Sequence, residues 1–491
     1  MSDDPESGIQ DLNSGQSSGA GRWILISRIA AQVSQITLFL MAARFLTPAE
    51  FGVFALVQAF SALLFVGAAA GWREAIISTA NSQRELNQLM TFAMTSGVVM
   101  ALAGGLVSLG LELSGHEAAG TLAALFCVCV LIAPVVSAFN GMLVRRGRVR
   151  SFAMASVAAE TLAFVVAAWA LFAGYGVYAL AVGKIVFLAA CAGLLAWQAG
   201  WRGGLTFRGE RTRLLLSTSA HILANRSIFF VQSNSATFLV GAFLGPAGVG
   251  FYRAAERVVS SVAELVMEPL RMIAWVELRR AADQTDPSDP NLRSRLANAA
   301  TGILPLFILL TAPVFMGLSF VAHELVIFAL GPAWAPSGGV AAIFALTAIH
   351  VVPGVLAEPL LSIAGEVRRL PRIMLMNAAV SSGMLVLLSP FGLYGLAAAA
   401  IPSGLFTMGT MFWILRRHGG FAWRPALRGA SVAIPPLFAM AVVVIGTQWI
   451  ASQTSISLIV SLAIQVCVGA AAYIGVLHLV KPEVLLALRR L

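Results

Sequence analysis

Long apolar runs with almost no charge inside them recur from residue 22 to residue 480, and this recurrence constrains the chain more than any other feature. A soluble chain covers itself with roughly 25% charged residues. Here charged residues make up 11% of 491 and hydrophobic residues 59%, with a mean hydropathy of +0.86. A soluble core could not hide so much apolar surface. A hydrocarbon layer about 30 Å thick accepts it as helices of about 20 residues, whose backbone polar groups are satisfied within each segment.

The runs lie near 22–44, 51–71, 86–112, 118–143, 151–173, 176–200, 213–244, 248–277, 297–320, 337–363, 370–391, 394–417, 425–449 and 456–480. The expected fold is therefore an all-α polytopic membrane protein of about fourteen transmembrane helices. The apolar stretch from 297 continues to about 330, too long for one simple span. Pro305 and Pro313 are expected to kink it, with His323–Leu330 as a short interfacial piece outside. Residues 1–21 are acidic, rich in Ser and Gly and aperiodic, so they read as a disordered tail rather than a cleavable signal.

The basic residues orient these spans. With the N-terminus in the cytoplasm, alternation gives the cytoplasmic segments 25 of the 32 Lys and Arg residues and leaves only Arg44 outside. A missed span would scramble the alternation from that point on, and it stays clean to the end. Both termini are therefore expected in the cytoplasm. The net charge of +10 is then a cytoplasmic-face charge, and nucleic acid is not an expected partner.

Three short matches reveal an internal repeat. FLTPAEFGVF (Phe45–Phe54) matches FLGPAGVGFY (Phe243–Tyr252), YGVYALA (Tyr175–Ala181) matches FGLYGLA (Phe391–Ala397), and GRVR (Gly147–Arg150) matches GEVR (Gly365–Arg368). Each joins spans six apart, and an even offset gives both copies one orientation in the membrane. The expected organisation is a tail (1–21), an N-lobe of six helices (22–200), a cytoplasmic linker (201–212), a parallel C-lobe of six helices (213–417), two extra C-terminal helices (425–480) and a tail (481–491). Parallel repeats are typical of secondary transporters, whose substrate site lies between the halves near the midplane.

Six basic residues fall inside spans: Arg28, Lys184, Arg226, Arg253, Arg257 and Arg271. Each costs at least about 2.5 kcal/mol at the bilayer centre unless it faces protein or water. In the eighth span Arg253, Glu256, Arg257, Glu264, Glu268 and Arg271 fall within an arc of about 120° at about 100° per residue. Arg28, Gln32 and Gln35 share a face of the first span, and His221, Asn225 and Gln232 share a face of the seventh. The expected product is a wet, partly cationic cavity between the lobes. Arg253, Arg257, Arg28, Arg226, Gln32 and Asn225 are the candidate substrate-binding groups, and Glu256, Glu264, Glu160 and His350 the candidates for ion coupling.

Each assignment has a structural alternative. Glu264, Glu268 and Arg271 are spaced to pair along their own helix, Arg28 and Arg271 lie where they can snorkel, and Glu160 and His350 read equally as hydrogen-bonded core. Cys127, Cys129, Cys191 and Cys467 all lie within spans and read as small buried hydrophobes, with no chelating pair. No P-loop, GxSxG or HExxH pattern occurs, and the outer loops are very short. No catalytic residue, metal or cofactor is expected.

RFLTPAEFGVFALV, FLGPAGVGFYRAAERV and LGPAWAPS together resemble the polysaccharide transporter family, which includes the Wzx-type O-antigen flippases, within the multidrug/oligosaccharidyl-lipid/polysaccharide exporter superfamily. The likeness covers nearly all of the chain after residue 21. It implies a bacterial inner-membrane flippase for an undecaprenyl-pyrophosphate-linked oligosaccharide, working by alternating access in surface polysaccharide synthesis. It also implies membrane lipids, a polysaccharide polymerase and a chain-length regulator as partners, and it places the lipid tail near the two helices beyond the repeat. The balanced charges of the eighth span depart from a purely cationic site. Two other readings remain open: a drug or cation exporter of the same superfamily, and a non-catalytic scaffold of envelope polysaccharide assembly.

Overall fold

A computed structural model describes residues 16–69, 71–79, 82–201, 204, 206, 212–283, 291–366, 369–454 and 457–481. Among the described residues every regular element is a helix. The α-helices are α1 (Gln16–Phe45), α2 (Pro48–Ala69), α3 (Trp72–Thr79), α4 (Gln83–Leu113), α5 (Glu117–Arg145), α6 (Val149–Phe172), α7 (Tyr178–Ala199) and α8 (Thr212–Asp283). They continue with α9 (Leu292–Leu330), α10 (Ala335–Thr347), α11 (Val352–Ile363), α12 (Leu370–Leu388), α13 (Gly392–Ala398), α14 (Ala400–Gly419), α15 (Trp423–Ala430), α16 (Ile434–Gln453) and α17 (Leu458–Val480).

By length and composition, 12 helices are able to cross a membrane. One of them is 62 residues long, Ile222–Asp283, which at about 1.5 Å per residue is about three times the hydrocarbon thickness. Gly245 breaks it with φ 69 and ψ −171, and Pro246 follows as the first residue of the next helical segment. Only glycine takes that backbone conformation without steric cost. All fourteen expected runs coincide with helices once this break is taken into account, and α14 supplies the run that length and composition alone leave out.

Local chemistry explains where the helices begin and bend. The motif Thr47-Pro48-Ala49-Glu50 is a capping box at the start of α2. The Thr47 backbone N–H and hydroxyl both donate to Glu50 Oε2 at 2.8 Å, and the Glu50 N–H donates back to Thr47 Oγ1 at 3.3 Å. Its repeat partner Gly245-Pro246-Ala247-Gly248 lacks the capping pair and makes the same junction with Gly245. In the other two matched motifs the paired glycines take the same left-handed conformation: Gly176 (φ 55) with Gly392 (φ 68), and Gly147 (φ 69) with Gly365 (φ 76). All three repeat motifs thus sit at turns between helices.

The chain divides into two compact units, Met1–Asn234 and Ser235–Leu491. In the first, Trp72, Ile76, Met90, Phe139, Met142 and Leu195 are the large members of a buried cluster joining α3, α4, α5 and α7. In the second, Met267, Leu270, Phe307, Phe315, Leu356, Leu360, Leu415 and Phe421 form a cluster built around α8, α9, α11 and α14.

Several expectations are corrected. The helix α1 begins at Gln16, so 16–21 belong to it and not to a tail, because a helix nucleated by the apolar run propagates outward at low cost; residues 1–15 and 482–491 lie outside the described residues. Most of the expected 201–212 linker lies outside them too, and the division between units falls at Asn234, inside the seventh run. His323–Leu330, expected as a separate short piece, continues α9, which is one helix through Leu330. Pro313 removes the donor that would have satisfied the Leu309 carbonyl, and the Tyr473 hydroxyl of α17 replaces it at 2.8 Å. Conversely, the tenth run is broken by a 3-10 turn at Ala348–Val351 ahead of Pro353. The thirteenth begins with the separate short helix α15, ahead of Pro435 and Pro436.

Candidate functional site

The charged stripe of the eighth run lies on α8 after Gly245. Val249, Tyr252, Ala254, Ala255, Val259, Met267, Leu270, Ala274 and Leu278 of this segment are buried. Arg253, Glu256, Arg257, Glu268 and Arg271 are half-buried and Glu264 is exposed. The helix therefore turns its apolar face to the packed core of its unit and leaves the charges accessible along one side.

Within the stripe, Arg253 donates to Glu256 at 2.5 Å, with the two side chains 27% and 44% exposed. Arg271 donates to Glu268 at 3.1 Å, with 43% and 47% exposed. The sequence alternative of pairing along one helix is therefore realised for Glu268 with Arg271. Glu264 makes no ion pair or hydrogen bond among the described residues. The carbonyl of Arg257 accepts the hydroxyls of Ser261 at 2.7 Å and Ser260 at 3.2 Å. Accessible pairs of this kind are held loosely: the exposed i,i+3 geometry is worth about 0.3–0.5 kcal/mol. A stronger anion could replace the carboxylate on Arg253 at little cost to the helix.

The first unit holds the remaining candidates in two places. On α1, Arg28 is exposed, Gln32 has a buried Nε2 with no hydrogen-bond partner, and Gln35 Nε2 lies 3.4 Å from Glu160 Oε1 of α6. Lys184 of α7 acts electrostatically on the same Glu160 and stacks 5.6 Å from the centroid of Phe187. A carboxylate, a carboxamide and an ammonium from three helices thus share one neighbourhood. The sequence flagged Glu160 and Lys184 separately and did not connect them.

The second place is at the start of α8. Arg226 donates to Glu74 of α3 at 2.9 Å, with side chains 35% and 39% exposed. The other Glu74 oxygen and the Nε of the adjacent Arg73 are buried without a partner, so this network is only half satisfied. Asn225 beside it is exposed, and the His221 side chain lies outside the described residues. Sequence reasoning passed over Glu74. The available signal was an acid between Gly71 and the apolar pair Ile76–Ile77, a position where an unpaired carboxylate is costly.

His350 lies elsewhere, in the second unit. Its ring nitrogen Nδ1 bonds the Thr347 carbonyl at the break in the tenth run, and a Cβ on Gly404 of α14 would meet that ring at 3.0 Å. It is closely packed at a helix break, whereas Glu160 is with Gln35. Among the described residues no group of three or more His, Cys, Asp or Glu side chains is arranged to hold a metal ion.

Comparison with known proteins bears on what this arrangement serves. The family described as "Polysaccharide biosynthesis protein" matches residues 41–338. The succinoglycan biosynthesis transport protein ExoT of Rhizobium meliloti is 23% identical over 433 residues, which is 85% of this chain and 83% of that protein. Among solved structures, the lipid II flippase MurJ in an inward closed conformation superposes with a TM-score of 0.71 at 11% identity, covering 94% of this chain and 99% of that one. An inward-facing multidrug-resistance MATE transporter of the MOP superfamily superposes with a TM-score of 0.61 at 14% identity, covering 79% and 94%. At these identities the two structural likenesses speak to the fold alone, while the family match spans more than half of the sequence and takes in four of the six turn-motif copies, the charged stripe and Arg226. The chain belongs to the polysaccharide biosynthesis protein family.

Proposed function

We propose that this chain is a flippase that carries a polyprenyl-diphosphate-linked oligosaccharide, of the undecaprenyl type, from the cytoplasmic to the periplasmic leaflet of a bacterial inner membrane. It crosses fourteen times with both termini in the cytoplasm and works by alternating access. The observation that carries this reading is the accessible charged side of α8, with Arg253 and Arg257 one turn apart on a helix that buries Tyr252, Val259, Met267 and Leu270 on another side.

A diphosphate linked to sugars cannot cross hydrocarbon unaided, because desolvating its charge costs many kcal/mol. Guanidinium groups replace lost water through charge-assisted, bidentate hydrogen bonds. Arg253 and Arg257 are the principal grips. Arg28 and Arg226, with Gln32 and Asn225 beside them, are further contacts along the path. Glu256 and Glu264 of the same stripe, Glu160 with its Gln35 and Lys184 neighbours, and His350 at its helix break are the groups through which a proton or cation would couple to the cycle. The outer turns leave no room for a catalytic domain, so glycan assembly falls to partners such as a polymerase and a chain-length regulator. The protein moves the substrate and is not an enzyme.

The test is reconstitution of the full chain in proteoliposomes loaded with a labelled polyprenyl-diphosphate oligosaccharide and with the same glycan on a neutral lipid. Translocation, read by loss of protection from an outside lectin or quencher, is expected for the diphosphate-linked substrate and not for the neutral one. Equal rates for both, or transport of a cationic dye in place of the glycolipid, would overturn the reading.

A further inference from the structure

The junction of α14 and α15 presents four arginines that no carboxylate among the described residues neutralises. No Asp or Glu occurs between Glu366 and Glu483. Among the described residues Arg416, Arg417, Arg424 and Arg428 are exposed and make no ion pair. Other arginines at helix ends of the same unit differ: Arg279 holds Asp283 at 3.0 Å, Arg280 holds Glu277 at 2.7 Å, and Arg293 and Arg369 share Glu366 at 3.7 and 2.7 Å. A charge that only set topology would be free to pair in this way. Two of the four instead lie against tryptophan: Arg417 is 5.9 Å from the ring centroid of Trp413, and Arg424 is 5.4 Å from that of Trp423.

The short helix α15 is divided into three faces. At about 100° per residue, Ala426, Gly429 and Ala430 share one side, Trp423 and Leu427 the next, and Arg424 and Arg428 the third. The first side is pinned to the body of the unit, since a Cβ on Gly429 would meet Pro305 Cγ at 2.7 Å and Ala426 is fully buried. Trp423 (37%) and Leu427 (42%) are exposed. A left-handed Gly420 (φ 71), whose N–H bonds the Arg416 carbonyl at 3.2 Å, ends α14 between Arg417 and Arg424. Exposed Leu427, the indole rings and the guanidinium groups are the side chains that suit acyl chain, interface and phosphate in turn.

We propose that Arg416, Arg417, Arg424 and Arg428, with Trp413 and Trp423, form a binding site for the headgroup of an anionic phospholipid of the cytoplasmic leaflet. It rests on the cytoplasmic placement of this loop given above and is independent of which glycan is carried. The phosphate diester accepts hydrogen bonds from the guanidinium groups, the indoles lie at the level of the glycerol backbone, and Leu427 meets the acyl chains. The site anchors the start of α16 at the membrane surface.

The experiment uses the full chain, delipidated in detergent and titrated with phosphatidylglycerol or phosphatidylcholine, with bound lipid counted by native mass spectrometry. Each arginine near an anionic surface is worth about a fivefold change in partitioning, so R416Q/R417Q/R424Q/R428Q is expected to bind phosphatidylglycerol at least tenfold more weakly. R424Q/R428Q alone, with folding checked by thermal unfolding, is expected to show an intermediate loss. A charge-matched variant of the paired arginines, R279Q/R280Q/R293Q/R369Q, is expected to bind as the wild type does. The proposal is overturned if the first variant binds like the wild type, if the charge-matched variant loses as much, if phosphatidylcholine binds equally well, or if inorganic phosphate displaces the lipid.

Discussion

Replacing Arg253 separates transport from stability, because the structure assigns the two effects different sizes. Its partner Glu256 is an i,i+3 neighbour at 2.5 Å, and the pair is 27% and 44% exposed. Losing such a pair costs the fold about 0.5 kcal/mol, too little to change protein abundance visibly. A guanidinium gripping a phosphate makes two charge-assisted hydrogen bonds, each worth about 1.5–3 kcal/mol. Arg253→Ala is therefore expected to lower transport by about a hundredfold at unchanged protein level, since about 1.4 kcal/mol is one factor of ten. Arg253→Lys keeps the charge and loses the fork, so a loss of about tenfold is expected. Arg257→Ala and Arg257→Lys should follow the same order. The assays are surface polysaccharide in a strain lacking the native gene, immunoblotting of membranes, and the leaflet distribution of lipid-linked repeat units, which should accumulate on the cytoplasmic side. If Arg253 serves only to neutralise Glu256, the alanine variant will instead show reduced protein, restored by adding Glu256→Gln. That outcome, or normal transport by both alanine variants at wild-type abundance, refutes the assignment and moves the search to Arg28 and Arg226.

Three further outcomes are expected. Single cysteines at Ser114 and Thr454 should label from the periplasm and those at Gly147 and Gly419 should not; labelling of Gly147→Cys from outside would break the fourteen-span orientation. Tyr473→Phe removes the hydroxyl that serves the Leu309 carbonyl in place of the missing Pro313 donor, so it should destabilise the protein by about 1 kcal/mol in thermal or steric-trap unfolding. That penalty should shrink in a Pro313→Ala background, where the backbone donor returns, and an undiminished penalty would contradict the account. Because the Arg226–Glu74 pair is more than a third exposed on both sides and so adds at most about 1 kcal/mol, Arg226→Gln should lower transport about tenfold while Glu74→Gln preserves it. Equal losses from both would make the pair structural.

Much of the candidate site was legible as composition along a helix. Arginine in an apolar run is costly wherever the helix goes, so Arg28, Arg226, Arg253 and Arg257 stood out without coordinates, and helical phase alone placed the six charges of α8 on one side. What could not be read was their company. Glu74 looked like part of a loop until α3 brought it to Arg226, and Glu160 looked like an isolated acid until α1 brought Gln35 to it. The group that serves the Leu309 carbonyl in place of the missing Pro313 donor was hidden for the same reason, since it is a tyrosine of α17.

The sequence by itself determined the class of protein, the position of its long apolar helices and the identity of the charges within them. These follow from transfer free energy and helical periodicity, which act over neighbouring residues and are indifferent to what packs alongside. Only the tertiary structure decided where a span breaks without a signal strong enough to stop it, as at Ala348–Val351, and which polar group answers which. Gln35 and Glu160 are 125 positions apart, Glu74 and Arg226 are 152, and Leu309 and Tyr473 are 164. A hydrogen bond depends on tenths of an ångström, and across such separations that precision comes only from how helices pack.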